Sequence, residues 1–443
     1  MQQILNDIQK ILQIDSSQTE AKKNMPFGKG IYNTLHYFLN LAKTMGFKII
    51  NYDNYIAEVI YEGTTDERFA VLCHLDTVPI GNGWTQNPLG GEIIDGKLYG
   101  RGSMDNKAIA VICLHCLYAL KKEGFKPKKS IHLIVGCNEE NGWQCIEYYK
   151  QKATLPKMGF TPDGNFPVIY AEKGILHANL KFKIENAPFS SLAAGERLNM
   201  VCDRATATCT SSFIQVLDNL KFMKQDIPKE ITIHHGYVMS RDKNGGSPSC
   251  LLIAHGKSAH ASHPERGQNA LYSLLSFIAP YNADIQKVKE ILIDDAMQLQ
   301  KLNDSSGYLT CSANVATFEE NTLTIGIDIR YPASMKQEEI LKIFDKHHLE
   351  YELLHCQNPI YHSPDSPLIE TLYSIYKEKT ARTDKPMAIG GGTYARALEF
   401  GVAFGPQFND EEDTLHQPDE YIFVKNIPLY FDIYKEAIFR LTK

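Results

Sequence analysis

No apolar run in this 443-residue chain is long enough to cross a membrane as a helix, and neither a short-period repeat nor a low-complexity tract interrupts it. Those absences exclude a helical membrane protein, a solenoid and a disordered linker. The first residues, Met1-Gln-Gln-Ile-Leu-Asn-Asp-Ile-Gln-Lys10, lack the apolar centre of a secretory signal and form an amphipathic, polar segment instead. A large excess of one charge is missing too. With a net charge of -6 the chain gives no reason to expect nucleic acid or an anionic membrane as a partner. Cysteine is not scarce, but the paired spacing of a disulfide framework is absent. The ten cysteines sit in apolar segments such as Val71 to Cys73 and Val111 to Cys116, as reduced, buried thiols do. Cys113-Leu-His115-Cys116 has no second ligand pair, so the four-ligand closure of a structural zinc site is not met. A cytoplasmic globular protein is expected.

What is present is an ordinary globular composition, 43% hydrophobic, on a chain too long for one compact core. Two domains are expected. Hydrophobic spacing predicts a helix over Asn33 to Met45, a buried strand over Phe69 to Cys73, a helix over Asn106 to Lys122 and a buried strand over Ile131 to Cys137. Such alternation builds an α/β fold with a mainly parallel sheet covered by helices, and ligands gather outside the carboxyl ends of its strands. After Glu172-Lys173-Gly174 the strands alternate more clearly between apolar and polar residues. In Leu323-Thr-Ile325-Gly-Ile327-Asp-Ile329-Arg330 the four apolar side chains share one face, so Arg330 is expected to project from the other, uncovered face. From Ser366 a helix resumes the first texture, and Val402 to Gly405 reads as a further strand. The expected layout is therefore a discontinuous α/β domain, residues 1–180 and 358–443, with an α+β domain inserted over 181–357.

Five residues with metal-binding side chains fall in loops after apolar segments: His74, Asp105, Glu140, Asp163 and His416. His74 closes the run Phe69 to Cys73, and Asp76 stands two residues on, where a carboxylate can hold the second ring nitrogen of a ligating imidazole. Taken singly, each of the five has an ordinary explanation as a cap, a solvated turn or a loop residue. Together, His74-Leu-Asp76, Gly100-Arg-Gly-Ser-Met-Asp105-Asn-Lys107, Asn138-Glu139-Glu140, Thr161-Pro-Asp163-Gly164 and His416-Gln-Pro418 occur in an order that resembles the dizinc family of aminoacylases, glutamate carboxypeptidases and cytosolic dipeptidases. Glu172-Lys173-Gly174, Gly195-Glu-Arg-Leu-Asn199-Met200, Gly256-Lys-Ser-Ala-His260-Ala261 and Gly390-Gly-Gly-Thr-Tyr-Ala-Arg396 bring it closest to the PepV-type, or Xaa-His, dipeptidases. The resemblance spans nearly the whole chain, and ordered agreement of several motifs is specific where a single motif is not.

The resemblance implies a zinc-dependent dipeptidase whose inserted domain is a lid. Asp105 would bridge two ions, His74 and Asp163 completing one and Glu140 and His416 the other. Two zinc ions are implied, with manganese or cobalt as substitutes. Asp76 would orient His74, Glu139 would be the general base, and His260 would supply a donor for the oxyanion. Asn199, Arg330 and the Gly391-Gly392-Thr393 loop would hold the substrate, although a salt bridge to Asp328 is the plain alternative for Arg330. Small dipeptides are the implied substrates, and a long inserted domain implies a monomer. Asn106 and Ala108 depart from the Asp and Gly common at those places, which removes one charge from behind the metal site. The rivals are an N-acyl amino acid deacylase or exopeptidase on the same scaffold and, from another class, a metal-stabilised binding protein without turnover.

Overall fold

A computed structural model describes residues 1–222, 227–238 and 247–443, and the chain forms two compact units. The first comprises Met1–Ala171, His362–Met387 and Gly392–Lys443, and the second Glu172–Tyr361 and Ala388–Gly391.

In the first unit the strands β1 (Lys48–Tyr52), β2 (Ile56–Tyr61), β3 (Arg68–His74), β4 (Ser130–Gly136), β5 (Met158–Thr161) and β6 (Phe400–Ala403) lie in the order β1-β2-β4-β3-β5-β6. β4, β3, β5 and β6 are mutually parallel, and β1 and β2 add an antiparallel edge. From Phe69 to His74 every residue of β3 is buried, as the unbroken apolar run demands of a strand covered on both faces. The helix Lys107–Lys122 is buried continuously from Lys107 to Leu117 and packs against the helices Gln2–Leu12 and Ile427–Thr442. Its amino end follows Asp105-Asn106 directly, so the core of this unit fixes where that loop stands. The strand expected over Val402 to Gly405 lies two residues earlier, as β6, and Ser366 precedes the helix Pro367–Thr380. Among the described residues all ten cysteines are free, and no helix is long and apolar enough to cross a membrane.

The second unit has its own core beneath an eight-stranded antiparallel sheet, with the helices Ala270–Ile278 and Ala283–Leu292 packed on it. A boundary at residue 180 would divide the strand Gly174–Lys183, which pairs along both edges within this unit and belongs to it whole. The uncovered face expected beside Arg330 is not found. Asp328 and Arg330 are as buried as the isoleucines opposite, because the Asp328 carboxylate takes both the Arg330 fork, at 2.6 and 2.7 Å, and His177 Nε2, at 2.9 Å. Paired charges can be covered where single ones cannot.

The sheet of the first unit leaves little slack where its central strands meet. Gly159 of β5 faces Ala70 of β3, and a Cβ at Gly159 would overlap the Ala70 carbonyl oxygen. Gly159→Ala should therefore destabilise the protein by about 1–3 kcal/mol, the usual cost of overpacking against backbone. Chemical denaturation measures it, and a loss indistinguishable from zero would show that the strands separate freely.

Candidate metal centre

Three adjacent parallel strands deliver three of the sequence-predicted ligands at their carboxyl ends. His74 is the last residue of β3, Glu140 follows β4 after a short turn, and Asp163 lies two residues beyond β5. At that edge of a parallel sheet the loops diverge, leaving room for a ligand. Asp105 comes from the loop before the helix Lys107–Lys122, and the Asp105–Asn106 peptide is cis. The Asn106 side chain donates to the Pro162 carbonyl at 2.7 Å, tying the loop of Asp105 to the loop of Asp163. His416 arrives from the loop that precedes the strand Tyr421–Phe423.

The geometry is centred on Asp105, whose two carboxylate oxygens face opposite ways. His74 Nε2 lies 2.8 Å from Asp105 Oδ1 and 3.4 Å from Asp163 Oδ2. On the other side His416 Nε2 lies 3.0 Å from Asp105 Oδ2 and 3.1 Å from Glu140 Oε2. One ligand atom each of His74, Asp105 and Glu140 fall within 4.8 Å of one another. Asp76 is buried behind this cluster. Its backbone oxygen is 3.0 Å from His74 Nδ1, closer than its carboxylate at 3.6 Å, and the carboxylate instead accepts the backbone N–H groups of Glu139 and Glu140, both at 3.0 Å. Asp76 thereby holds the imidazole with its main chain and the Glu139-Glu140 turn with its side chain.

The electrostatics of the cluster describe a shortage of positive charge. Burial raises the Glu139 carboxyl well above the usual carboxylate range, and Asp163, Glu140 and Asp105 add to the effect against the pull of His74. Burial and Asp105 push Glu140 up to about 7, and the same two causes raise Asp163. Asp105 moves the other way: burial would raise it, but hydrogen bonds from His416 and His74 hold it well below the usual range. Burial would lower His74, yet its contacts with Asp105, Asp163 and Asp76 hold it well above its ordinary value. His416, half exposed, is raised by Asp105 and Glu140 against the same opposing effect. Crowded carboxylates and stabilised imidazolium both follow from unbalanced negative charge. Glu140 Oε1 is moreover buried with no hydrogen-bond partner among the described residues, which is costly unless a cation satisfies it. A mixed set of imidazoles and carboxylates suits zinc, manganese or cobalt.

Sequence reasoning missed the group that sets the Asp105 loop. Glu420 is fully buried, and its carboxylate accepts the backbone N–H groups of Gly102, Met104 and Asp105 at 3.1, 2.8 and 3.2 Å and the Arg101 guanidinium at 2.8 Å. The signal was available, since an acidic residue stands four positions after His416 and an arginine four before Asp105. Only the fold shows that they meet.

The remaining predicted residues fall as follows. Thr393 is buried and caps the short helix Tyr394–Ala397 by accepting the Ala395 N–H at 3.2 Å, and Gly392 precedes it in the same unit. Asn199, His260, Arg330 and Gly391 belong to the second unit. Asn199 and His260 are exposed neighbours there, because Ala261 donates to the Asn199 carbonyl at 2.9 Å and Met200 pairs with His260. Arg330 is buried, with Nε and Nη2 donating to Asp328 and Nη1 donating to the Gly390 carbonyl at 3.2 Å.

A model of the peptidase family M20/M25/M40 matches residues 70–440. "Putative dipeptidase YtjP" of Bacillus subtilis is 33% identical over 464 residues, covering 99% of this chain and 97% of its own. Among solved structures, the M20 family metallo-carboxypeptidase Sso-CP2 of Sulfolobus solfataricus is similar at a TM-score of 0.59 and 15% identity, covering 99% of both chains. Human carnosine dipeptidase 1 is similar at a TM-score of 0.58 and 11% identity, covering 98% of this chain and 96% of that one.

Glu420→Gln replaces one acceptor oxygen by an amide group aimed at backbone donors, so the Asp105 loop should loosen. Metal affinity, measured by equilibrium dialysis, is expected to fall about 10- to 100-fold while the far-ultraviolet circular dichroism is unchanged. Unaltered affinity would mean that the loop holds its shape without that carboxylate.

Proposed function

The chain belongs to the peptidase family M20/M25/M40 and is a metallopeptidase, and from that premise we propose that it is a cytoplasmic, monomeric dipeptidase cleaving the amide bond of small dipeptides. The observation that carries the mechanism is the pair of opposed ligand sets around Asp105. His74 and Asp163 would hold one ion and Glu140 and His416 the other, with Asp105 between them. Zinc is the preferred assignment, with manganese or cobalt as substitutes. Such ions, when bound, lower the pKa of water and polarise the scissile carbonyl.

The side chains of the protein do the rest. Glu139 is the one carboxylate of its turn not assigned to a ligand set, so it takes the proton of the attacking water and returns it to the leaving amine. Asp76 keeps Glu139 in place through the backbone N–H it accepts, and fixes the ring of His74 through its own carbonyl. His260 is assigned as the donor to the oxyanion of the tetrahedral intermediate. Asn199, Gly391, Gly392 and Thr393 are assigned to the substrate. Arg330 is assigned with Asn199 to the substrate's carboxylate and backbone, and it also donates to the Gly390 carbonyl.

Glu139→Gln should keep the bound metal and lose about 10²- to 10⁴-fold in kcat, the span that a positioned base supplies. Near wild-type turnover in a fully metallated variant would remove Glu139 from this role. His260→Ala is expected to lower kcat about 10²- to 10³-fold, as loss of one oxyanion donor does; an effect confined to KM would make His260 a binding group. Metal content and rates on dipeptides, tripeptides and N-acetyl amino acids, measured before and after chelation, test the substrate class. A preference for N-acetyl amino acids would turn the assignment to a deacylase, and full activity without metal would end it.

A further inference from the structure

We propose that Ser262 is a positioning residue that holds His260 in the tautomer with its proton on Nε2, and so makes the ring a hydrogen-bond donor. The inference rests on the oxyanion role given to His260 in the proposed dipeptidase, but the tautomer itself follows from local geometry. The backbone N–H of Ser262 donates to His260 Nδ1 at 3.2 Å. A main-chain N–H cannot accept, so Nδ1 must present its lone pair, and a neutral imidazole then carries its single hydrogen on Nε2. Ser262 Oγ lies 2.6 Å from the same nitrogen. With Nδ1 the acceptor, the hydroxyl is the donor, and two hydrogens converge on one lone pair.

The surroundings keep this arrangement in register. Ser262 is buried while His260 is exposed. The His260 main chain is pinned on both sides, by the pairing of Met200 with His260 and of Ala261 with Asn199, and by the His263 N–H, which donates to the His260 carbonyl at 2.9 Å. Behind Ser262 stands Gly390, where even a Cβ would come within 3.1 Å of the Ser262 Cβ. The Gly390 carbonyl is the one held by Arg330, whose guanidinium is in turn held by Asp328. A buried ion pair, a glycine and a serine thus form a continuous support for one exposed imidazole. Support of this kind matters because a histidine in the other tautomer would present a lone pair, which repels an oxyanion instead of stabilising it.

Histidine-selective ¹⁵N labelling of the metal-free protein, with the His260 signal assigned by its loss in His260→Asn, reads the tautomer directly. The wild type should show an unprotonated Nδ1 and a protonated Nε2. Ser262→Ala keeps the backbone donor but loses the hydroxyl, so the Nδ1-protonated form should appear beside the first, and Ser262→Thr should restore the wild-type ratio. With dipeptide substrate, Ser262→Ala should lower kcat about tenfold with KM within about twofold, and Ser262→Thr should recover most of it. A wild-type ring protonated on Nδ1, a ratio unmoved in Ser262→Ala, or a moved ratio with unchanged kcat would each overturn the proposal. A wild type with the Nε2 proton that cleaves no dipeptide would instead defeat the dipeptidase assignment and leave the hold of Ser262 on the ring standing.

Discussion

Mutual repulsion of carboxylates at the carboxyl ends of β3, β4 and β5 is the constraint on which the first unit turns. Asp105, Glu139, Glu140 and Asp163 converge on two imidazoles: burial and neighbouring carboxylates push Glu139, Glu140 and Asp163 up, both histidines are raised by their acidic partners, and Asp105, paired with both, is held low. Left alone, such a cluster would spread or take up protons. It is kept together by backbone donors that accept no compromise in position, two of them on Asp76 and three on Glu420, and by a helix buried along most of its length. A bound cation would offset the crowding of these carboxylates.

Buried carboxylates here differ in how fully hydrogen-bond donors meet them. Asp76, Asp328 and Glu420 are each surrounded by donors and face no open space. Glu140 retains a buried oxygen with no hydrogen-bond partner among the described residues. The distinction is physical: a satisfied carboxylate can set geometry, while an unsatisfied one retains capacity to bind a cation or a proton. In the second unit Arg330 is buried with Asp328 on one side of its guanidinium, while Asn199 and His260 are exposed.

Much of this was legible along the chain. The buried strands around Phe69 and Ile131, the helix after Asp105 and the return of the first texture after Ser366 all follow from hydrophobic spacing, because a strand covered on both faces and a helix buried all round must be apolar throughout. The five candidate ligands were legible by residue type and order, though His74 closes β3 and is not a loop residue. Arg330 was misjudged because alternation along a strand tells which residues share a face but not whether that face is covered, and a bidentate partner two residues away makes cover affordable. Glu420 and Ser262 were not singled out, since neither stands out by residue type; each matters through backbone N–H groups, which the sequence does not display.

By itself, then, the order of residues determined the elements, the texture of the two units and the identity of the chemically capable side chains, because hydrophobic period and donor type are local properties. Tertiary structure alone decided which oxygen of Asp105 faces which histidine, that Asp76 grips the Glu139-Glu140 turn, and that Glu420 reaches back across more than three hundred residues to the loop before it. Those are matters of distance and direction, and distance between residues far apart in the chain exists only once the strands have paired.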